Sequence, residues 1–269
     1  MRLGIEAIGL LGPGLPDWPQ AEQSLKSPEH WTWADTVVPA PSGLPSAERR
    51  RVGQAVKVAM AAAGQACEAS QFDAASLPAV FSSSGGDGQN CHLLCEALTE
   101  AEPQLSPTRF TNSVHNAPSG YWSIASGCQS ASTSICAFDA SFAAGVLEAG
   151  LFAVSEQTPV LLVAYDVPYP APLSAVRHIS TPFAVALVLT PAGFDESVVG
   201  TDGPVTLSLN AASPGSESVM PTEPLEALRL GAPAARALPL LMAIAQHQPQ
   251  TVYIPGPANT VLPMSLAFA

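Results

Sequence analysis

Apolar positions along the chain follow two kinds of pattern. Leu3–Leu11 is a mostly apolar run closed by Gly12-Pro13 and predicts a buried strand. Val160–Tyr165 (VLLVAY) and Phe183–Leu189 (FAVALVL) are continuous apolar runs, as expected of strands covered on both faces of a sheet. Val205–Asn210 alternates and predicts a half-exposed strand, and Ala79–Ser83, Thr133–Phe138 and Thr251–Ile254 predict shorter ones. Between them the period changes. Val52, Val56, Ala59, Met60, Ala63 and Cys67 recur at helical spacing behind Ser46 as N-cap, with Arg49, Arg50, Arg51 and Lys57 largely off the stripe. Further helices are predicted over Asn90–Glu100, Ala140–Leu151 and, interrupted by Pro239, Ala234–Gln246. Gly12–Pro45 reads as an irregular excursion, and the closing PGPANTVLPMSLAFA carries no predicted element beyond the strand that enters it. Strands alternating with helices predict an α/β fold with a layered sheet, and the last third holds too few elements for a second equal domain.

Composition narrows the classes of function. The chain has 269 residues, 47% of them hydrophobic and 12% charged, so a large core is expected and disorder is excluded. Ten Lys and Arg against 22 Asp and Glu give a net charge of −12, which is no footprint for nucleic acid or an anionic lipid surface. No apolar run reaches the roughly 18 residues of a membrane span, and the first residues lack the charge and length of a secretory signal. Five scattered cysteines fit free thiols in a reducing compartment; a cytoplasmic protein is expected. So little charge for a protein of this size suggests surface covered by another subunit.

Several chemistries can be tested against the sequence. Ser82–Gly88 (SSSGGDG) follows a strand and precedes a helix, the position of an anion-binding nest, but without a P-loop lysine a tight turn is the better reading. Cys91-His92-x-x-Cys95 offers ligands on one helix face, yet no second pair completes a zinc site, so packing is preferred to metal. Cys128, in SGCQS, is either a nucleophile or a small buried thiol; the first needs a partner that takes its proton. His115 and Asn116 lie in a polar stretch that suits a pocket wall and a self-bonded loop equally.

From that stretch onward the sequence resembles the β-ketoacyl synthases of the thiolase superfamily, and in particular the chain length factor type associated with aryl polyene and type II polyketide systems. FTNSVHNAPSGYWSIASG, SASTSICAFDASFAAG and PVLLVAYD carry the resemblance, which covers residues 1–195. It implies a thiolase-like α-β-α fold, with a nearly complete first half (1–195) and a reduced remnant of the second (196–269) packed on the same domain. Ser130-Ala131-Ser132 takes the place of the turn before the nucleophile strand, Thr133–Phe138 the strand, and Asp139 the place of the nucleophilic cysteine. A carboxylate is a poor nucleophile towards a thioester and cannot store an acyl chain as a cysteine does. Ketosynthases also carry two histidines in the second half. Thr251–Thr260 resembles the strand that delivers the first, with Pro257 near its place, and the chain ends before the second and before the usual lysine.

The resemblance therefore implies a non-catalytic subunit that pairs with a full-length ketosynthase and meets the acyl carrier protein indirectly, through that partner. It needs no cofactor and no metal. The dimer would form along Thr133, Ser134, Ile135, Cys136, Ala137 and Phe138, and an acyl tunnel would be walled by Arg109, Phe110, Asn112 and His115. The alternatives are an autonomous thioester decarboxylase or hydrolase acting through Cys128, Cys136 or Asp139, and a homodimeric scaffold.

Overall fold

The structure, a computed structural model, describes residues 1–194 and 205–268. The boundary expected at 195/196 lies outside the described residues. Among the described residues nine strands form one sheet: β1 (Arg2–Leu11), β2 (Ala79–Ser82), β3 (Ser132–Ile135), β4 (Val160–Asp166), β5 (Phe183–Pro191), β6 (Val205–Leu209), β7 (Ser213–Pro214), β8 (Thr251–Pro255) and β9 (Thr260–Phe268). The order is β3-β2-β4-β5-β1-β6-β9-β7, with β8 also paired to β9. β3, β2 and β4 run parallel, and β5, β1, β6 and β9 continue antiparallel. β3 is thus an edge strand.

The two apolar runs of the sequence are the centre of this sheet: every residue of β4 is buried, and so is almost all of β5. Alternation along β4 sends Val160, Leu162 and Ala164 to one core and Leu161, Val163 and Tyr165 to the other. The first core is closed by α1 (Trp18–Lys26), α7 (Ser141–Glu156), α8 (Glu223–Gly231), the 3₁₀ turn Pro233–Ala237 and α9 (Leu238–Ala245). The second is closed by α3 (Gln54–Ala69) and α6 (Ala117–Ser126). This is the layered α-β-α arrangement expected. The C-terminal segment has no sheet of its own; it extends the common one through β6 against β1.

Four local expectations are corrected. Gly12–Pro45 is not wholly irregular: Asp17 caps α1 by accepting from the Gln20 amide, and Ala21 and Leu25 bury its inner face. Ser46 does not cap the long helix. It opens a separate turn, α2 (Ser46–Arg49), and α3 starts only after Gly53, where a side chain would strike the Asp87 carboxylate. The Thr133–Phe138 strand leaves the ladder after Ile135, where its partner β2 ends at Ser82, and Phe138 then adopts a left-handed φ of +54°. The closing residues form the strand β9, paired in a hairpin with β8 despite Pro263. Finally, although the sequence has no unbroken apolar run of spanning length, the helical stretch Phe138–Glu156 is 19 residues and apolar enough to qualify. Half of it is buried, and Phe142, Ala143, Val146, Ala149 and Ala153 lie in the first core, as in the central helix of a globular domain.

Candidate functional site

The parallel strands β3, β2 and β4 end on the same side of the sheet, and the chemistry-bearing residues gather there, where α/β sheets place their sites. After β3 the chain makes a tight 3₁₀ turn, Phe138–Ala140, into α7. Ser141, almost wholly buried, locks this turn: its Oγ accepts from the Ala137 amide (3.0 Å) and donates to the Phe138 carbonyl (2.7 Å). A left-handed φ on a bulky aromatic costs on the order of 1–3 kcal/mol and persists only where its surroundings hold it. Asp139 then stands at the head of α7, where a carboxylate meets the positive end of the helix dipole. Its Oδ1 accepts from Arg177 Nη2 at 2.7 Å, and the Arg177 guanidinium lies over the Phe138 ring, 3.7 Å from its centroid.

Asp139 faces a cavity of about 570 Å³ together with Arg236, Gly215–Glu217, Val219, Pro255, Gly256 and Asn259–Val261. The head of α7 and the turn after β8, which the resemblance separately likens to the places of the nucleophile and the first histidine of ketosynthases, line the same cavity. What fills the corner is an ion-pair network. Arg229, 1% exposed, donates through Nε (2.7 Å) and Nη2 (2.6 Å) to Glu226 and through Nη1 (2.6 Å) to Glu217. Arg236 Nη1 reaches the same Glu217 oxygen at 3.1 Å. Hydrogen bonds from Arg229 hold the Glu226 carboxyl below its usual range; burial opposes the Arg229 charge, but its carboxylate partners outweigh it and raise its pKa. Burial lowers that of Arg236. Among the described residues lining this cavity there is no thiol and no imidazole.

A second carboxylate closes β4. Asp166, 2% exposed, accepts from the Ser84 amide (2.9 Å) and the Ser83 hydroxyl (3.3 Å) on Oδ1, and from the Ala234 amide (2.9 Å) on Oδ2. Burial raises its pKa to about 6 against the pull of those donors. The Ser82–Gly88 loop is thus committed inward: Ser84 bonds Asp166, the Gly86 amide donates to Ser83 Oγ (2.9 Å), and Gly85 and Gly88 leave room for the Tyr169 ring. A side chain at either glycine would collide with that ring.

Within this chain alone the four expected tunnel residues do not line a single cavity. Arg109 and Asn112 line a cleft of about 450 Å³ with Arg50, Arg51, Asp87 and Asn90, and Asn112 also binds Tyr121 Oη and the Arg51 carbonyl, each at 2.8 Å. Phe110, on α5 (Pro107–Thr111), is 65% exposed. His115 sits on the other side of the loop against Gly86, its Nε2 buried. Thr133, Ser134 and Ile135 are half-buried on the open edge of the sheet, Cys136 and Phe138 are exposed, and Ala137 lies between. Cys128 is buried and donates its thiol to the Leu77 carbonyl at 3.2 Å, and burial pushes the Cys67 thiol up to about 12, so neither is poised as a nucleophile. Cys91 and Cys95 are exposed on α4 (Gly88–Thr99), where His92 pairs with Glu96 at 3.2 Å; among the described residues no three ligands gather for a metal. Arg177, Glu217, Arg236 and Asp166 are not anticipated from sequence. All act through partners distant in the chain, and a lone arginine in a loop gives no local signal.

The nine-stranded layered sheet with a strained turn before a buried helix defines a thiolase-like ketosynthase fold. Residues 18–249 match the β-ketoacyl synthase N-terminal domain, and the chain belongs to that family. No curated protein sequence is similar enough to match. Among solved structures, the chain is similar to one in the ketosynthase ApeO in complex with its chain length factor ApeC from Xenorhabdus doucetiae, with a TM-score of 0.72 at 20% identity over 98% of this chain and 99% of that one. It is similar also to chains in AntDE:AntF, a type II polyketide ketosynthase with its acyl-carrier protein (TM-score 0.73, 12% identity, 99% of each chain), and in the ishigamide ketosynthase/chain length factor (0.71, 12%, 100% and 99%).

Proposed function

We propose that this chain is a non-catalytic ketosynthase-like subunit, a chain length factor, that pairs with a full-length ketosynthase in a cytoplasmic polyketide or fatty-acid-like elongation complex. The observation that carries the reading is the corner at the head of α7: Asp139, which the resemblance puts in the nucleophile's place, is bonded to Arg177 beside a cavity lined by neither thiol nor imidazole among the described residues. Condensation needs a thiolate to hold the acyl chain, and ketosynthases stabilise the enolate of the extender with imidazoles; the described residues lining this corner include neither group.

Pairing is supported by the open β3 edge, whose unsatisfied backbone groups invite a further strand. Phe110, Val114, Ile124 and Phe138, all more than half exposed, would then be covered. In the complex the acyl chain grows on the partner's cysteine, and side-chain volume contributed by this subunit at the seam limits its length, because overfilling a pocket costs about 1–3 kcal/mol. Arg109, Phe110, Asn112 and His115 are the proposed wall, and the carrier protein docks mainly on the partner.

Native mass spectrometry of the chain co-expressed with the ketosynthase encoded beside it tests the pairing: a one-to-one assembly is expected. A stable homodimer indifferent to the ketosynthase would overturn the reading. Within the assembly, Phe110→Ala should lengthen or broaden the product distribution; unchanged products would remove Phe110 from the wall.

A further inference from the structure

We propose that Asp139 serves as a positioning residue that holds Arg177 over Phe138, and that Phe138 is the aromatic anchor by which this chain binds the ketosynthase. The inference rests on the pairing through β3 put forward above and adds which side chain supplies the affinity.

The β3 edge offers a partner backbone hydrogen bonds, but its side chains are Ser132, Thr133, Ser134 and Ile135, with little apolar area to bury. The large apolar group comes three residues later. Phe138 is 60% exposed although it belongs to the turn that opens a buried helix. Its left-handed backbone, fixed through Ser141, turns it away from the course an extended residue would take. The Arg177 guanidinium at 3.7 Å covers one face of the ring, and that guanidinium is in turn set by Asp139 Oδ1 at 2.7 Å. Arg177 is 19% exposed against 60% for Phe138, so the guanidinium clamp is the sheltered part and the ring the presented part.

An exposed aromatic that is already rigid loses little entropy on binding, and aromatic side chains with arginine dominate interface hot spots. Strain stored at the turn has a purpose if the ring must stand at one angle, and none if it merely faces water. The occupant is the ketosynthase rather than a second copy, since self-pairing would bring together two chains that each carry a net charge of −12. The carboxylate at the nucleophile position is then no decayed catalytic group. It is the base of the clamp.

The test is the dissociation constant of the purified two-chain complex, measured by analytical ultracentrifugation for the wild type, Phe138→Ala, Arg177→Gln, Asp139→Asn and the two double variants containing Phe138→Ala. Loss of the anchor should weaken the complex by about 30-fold or more, the scale of a hot-spot residue. Arg177→Gln and Asp139→Asn should each weaken it by roughly 3- to 10-fold, and both effects should vanish once Phe138 is alanine, a coupling that independent structural damage does not produce. If Phe138→Ala fails to fold, Phe138→Leu replaces it, with a loss of about 5-fold expected from the missing ring–guanidinium contact. A wild-type chain that pairs while Phe138→Ala pairs equally well overturns this proposal alone, as does an Asp139→Asn effect undiminished in the alanine background. A wild-type chain that ignores the ketosynthase or forms only homodimers overturns the functional reading and this inference with it.

Discussion

Two carboxylates stand on the same side of the sheet, one at each flank of β2, and they are held in opposite ways. Asp166 ends β4 in full burial, with no cation beside it and three neutral donors around it, two of them main-chain amides. Asp139 follows β3, is 43% exposed, and is satisfied by a guanidinium. The first joins three separated pieces of chain: β4, the loop after β2, and the 3₁₀ turn at Ala234. The second joins a turn to a loop at the rim. Architecture is carried by the buried acid where these three pieces meet. The acid at the head of α7 is peripheral to the core.

The largest effect belongs to Asp166. Replacing it by alanine strands two buried amides and a hydroxyl, and each orphaned group costs about 1–3 kcal/mol, so a loss of about 3–5 kcal/mol is expected at pH 4. The pH is part of the prediction. Burial holds the native Asp166 pKa near 6, above its ordinary 3.8, so between those values the folded chain keeps a proton that the unfolded chain has released. Stability from this group is therefore fully present below about pH 4 and declines as pH rises towards 6, by about 3 kcal/mol in all. Denaturant unfolding of wild type and Asp166→Ala from pH 4 to 7.5 checks this. The gap between them should narrow with rising pH; a gap that widens would mean that Asp166 is stabilised as an anion and that the contrast with Asp139 is false.

At the exposed acid the expected change in folding is small. Asp139→Asn keeps the shape and loses the charge of a partly exposed pair, worth under about 1 kcal/mol. A thermal scan of the isolated variant should show a shift of only a few degrees; a large drop would give Asp139 the structural weight that belongs to Asp166.

The difference between the two acids also explains what can be read from sequence. β1, β4, β5 and the apolar helix are legible because burial on both faces writes itself as uninterrupted Val, Leu and Ala. The turn that carries Asp139 is legible only as the start of that apolar helix. α1 escapes the pattern of apolar runs although its signals are present, with Asp17 as cap, Pro19 in the first turn and apolar Ala21 and Leu25 one turn apart. β9 is obscured by Pro263, which usually marks an edge or a loop but here lies in a strand whose partners accommodate it. Arg177 lies 38 residues from Asp139, and Ala234 lies 68 from Asp166. No local pattern foretells such pairs, because only the closure of the sheet brings them together.

The smallest expected effect is the most pointed. Asp139→Cys places a thiol at the head of α7, in the strained turn and at the helix terminus that favour a thiolate in a ketosynthase. Geometry at one residue is insufficient for acyl transfer, however. The cavity beside it is lined by Arg236 and Glu217, with no imidazole among the described residues, and Arg177 loses the carboxylate that sets it over Phe138. The variant incubated with a short acyl thioester should therefore show no condensation with a malonyl thioester, and intact-protein mass spectrometry should find at most the slow acylation of an exposed cysteine, no faster than at Cys136. Turnover restored by this one substitution would show that the corner still holds the rest of a catalytic site, and that the difference between this chain and a ketosynthase is a single side chain.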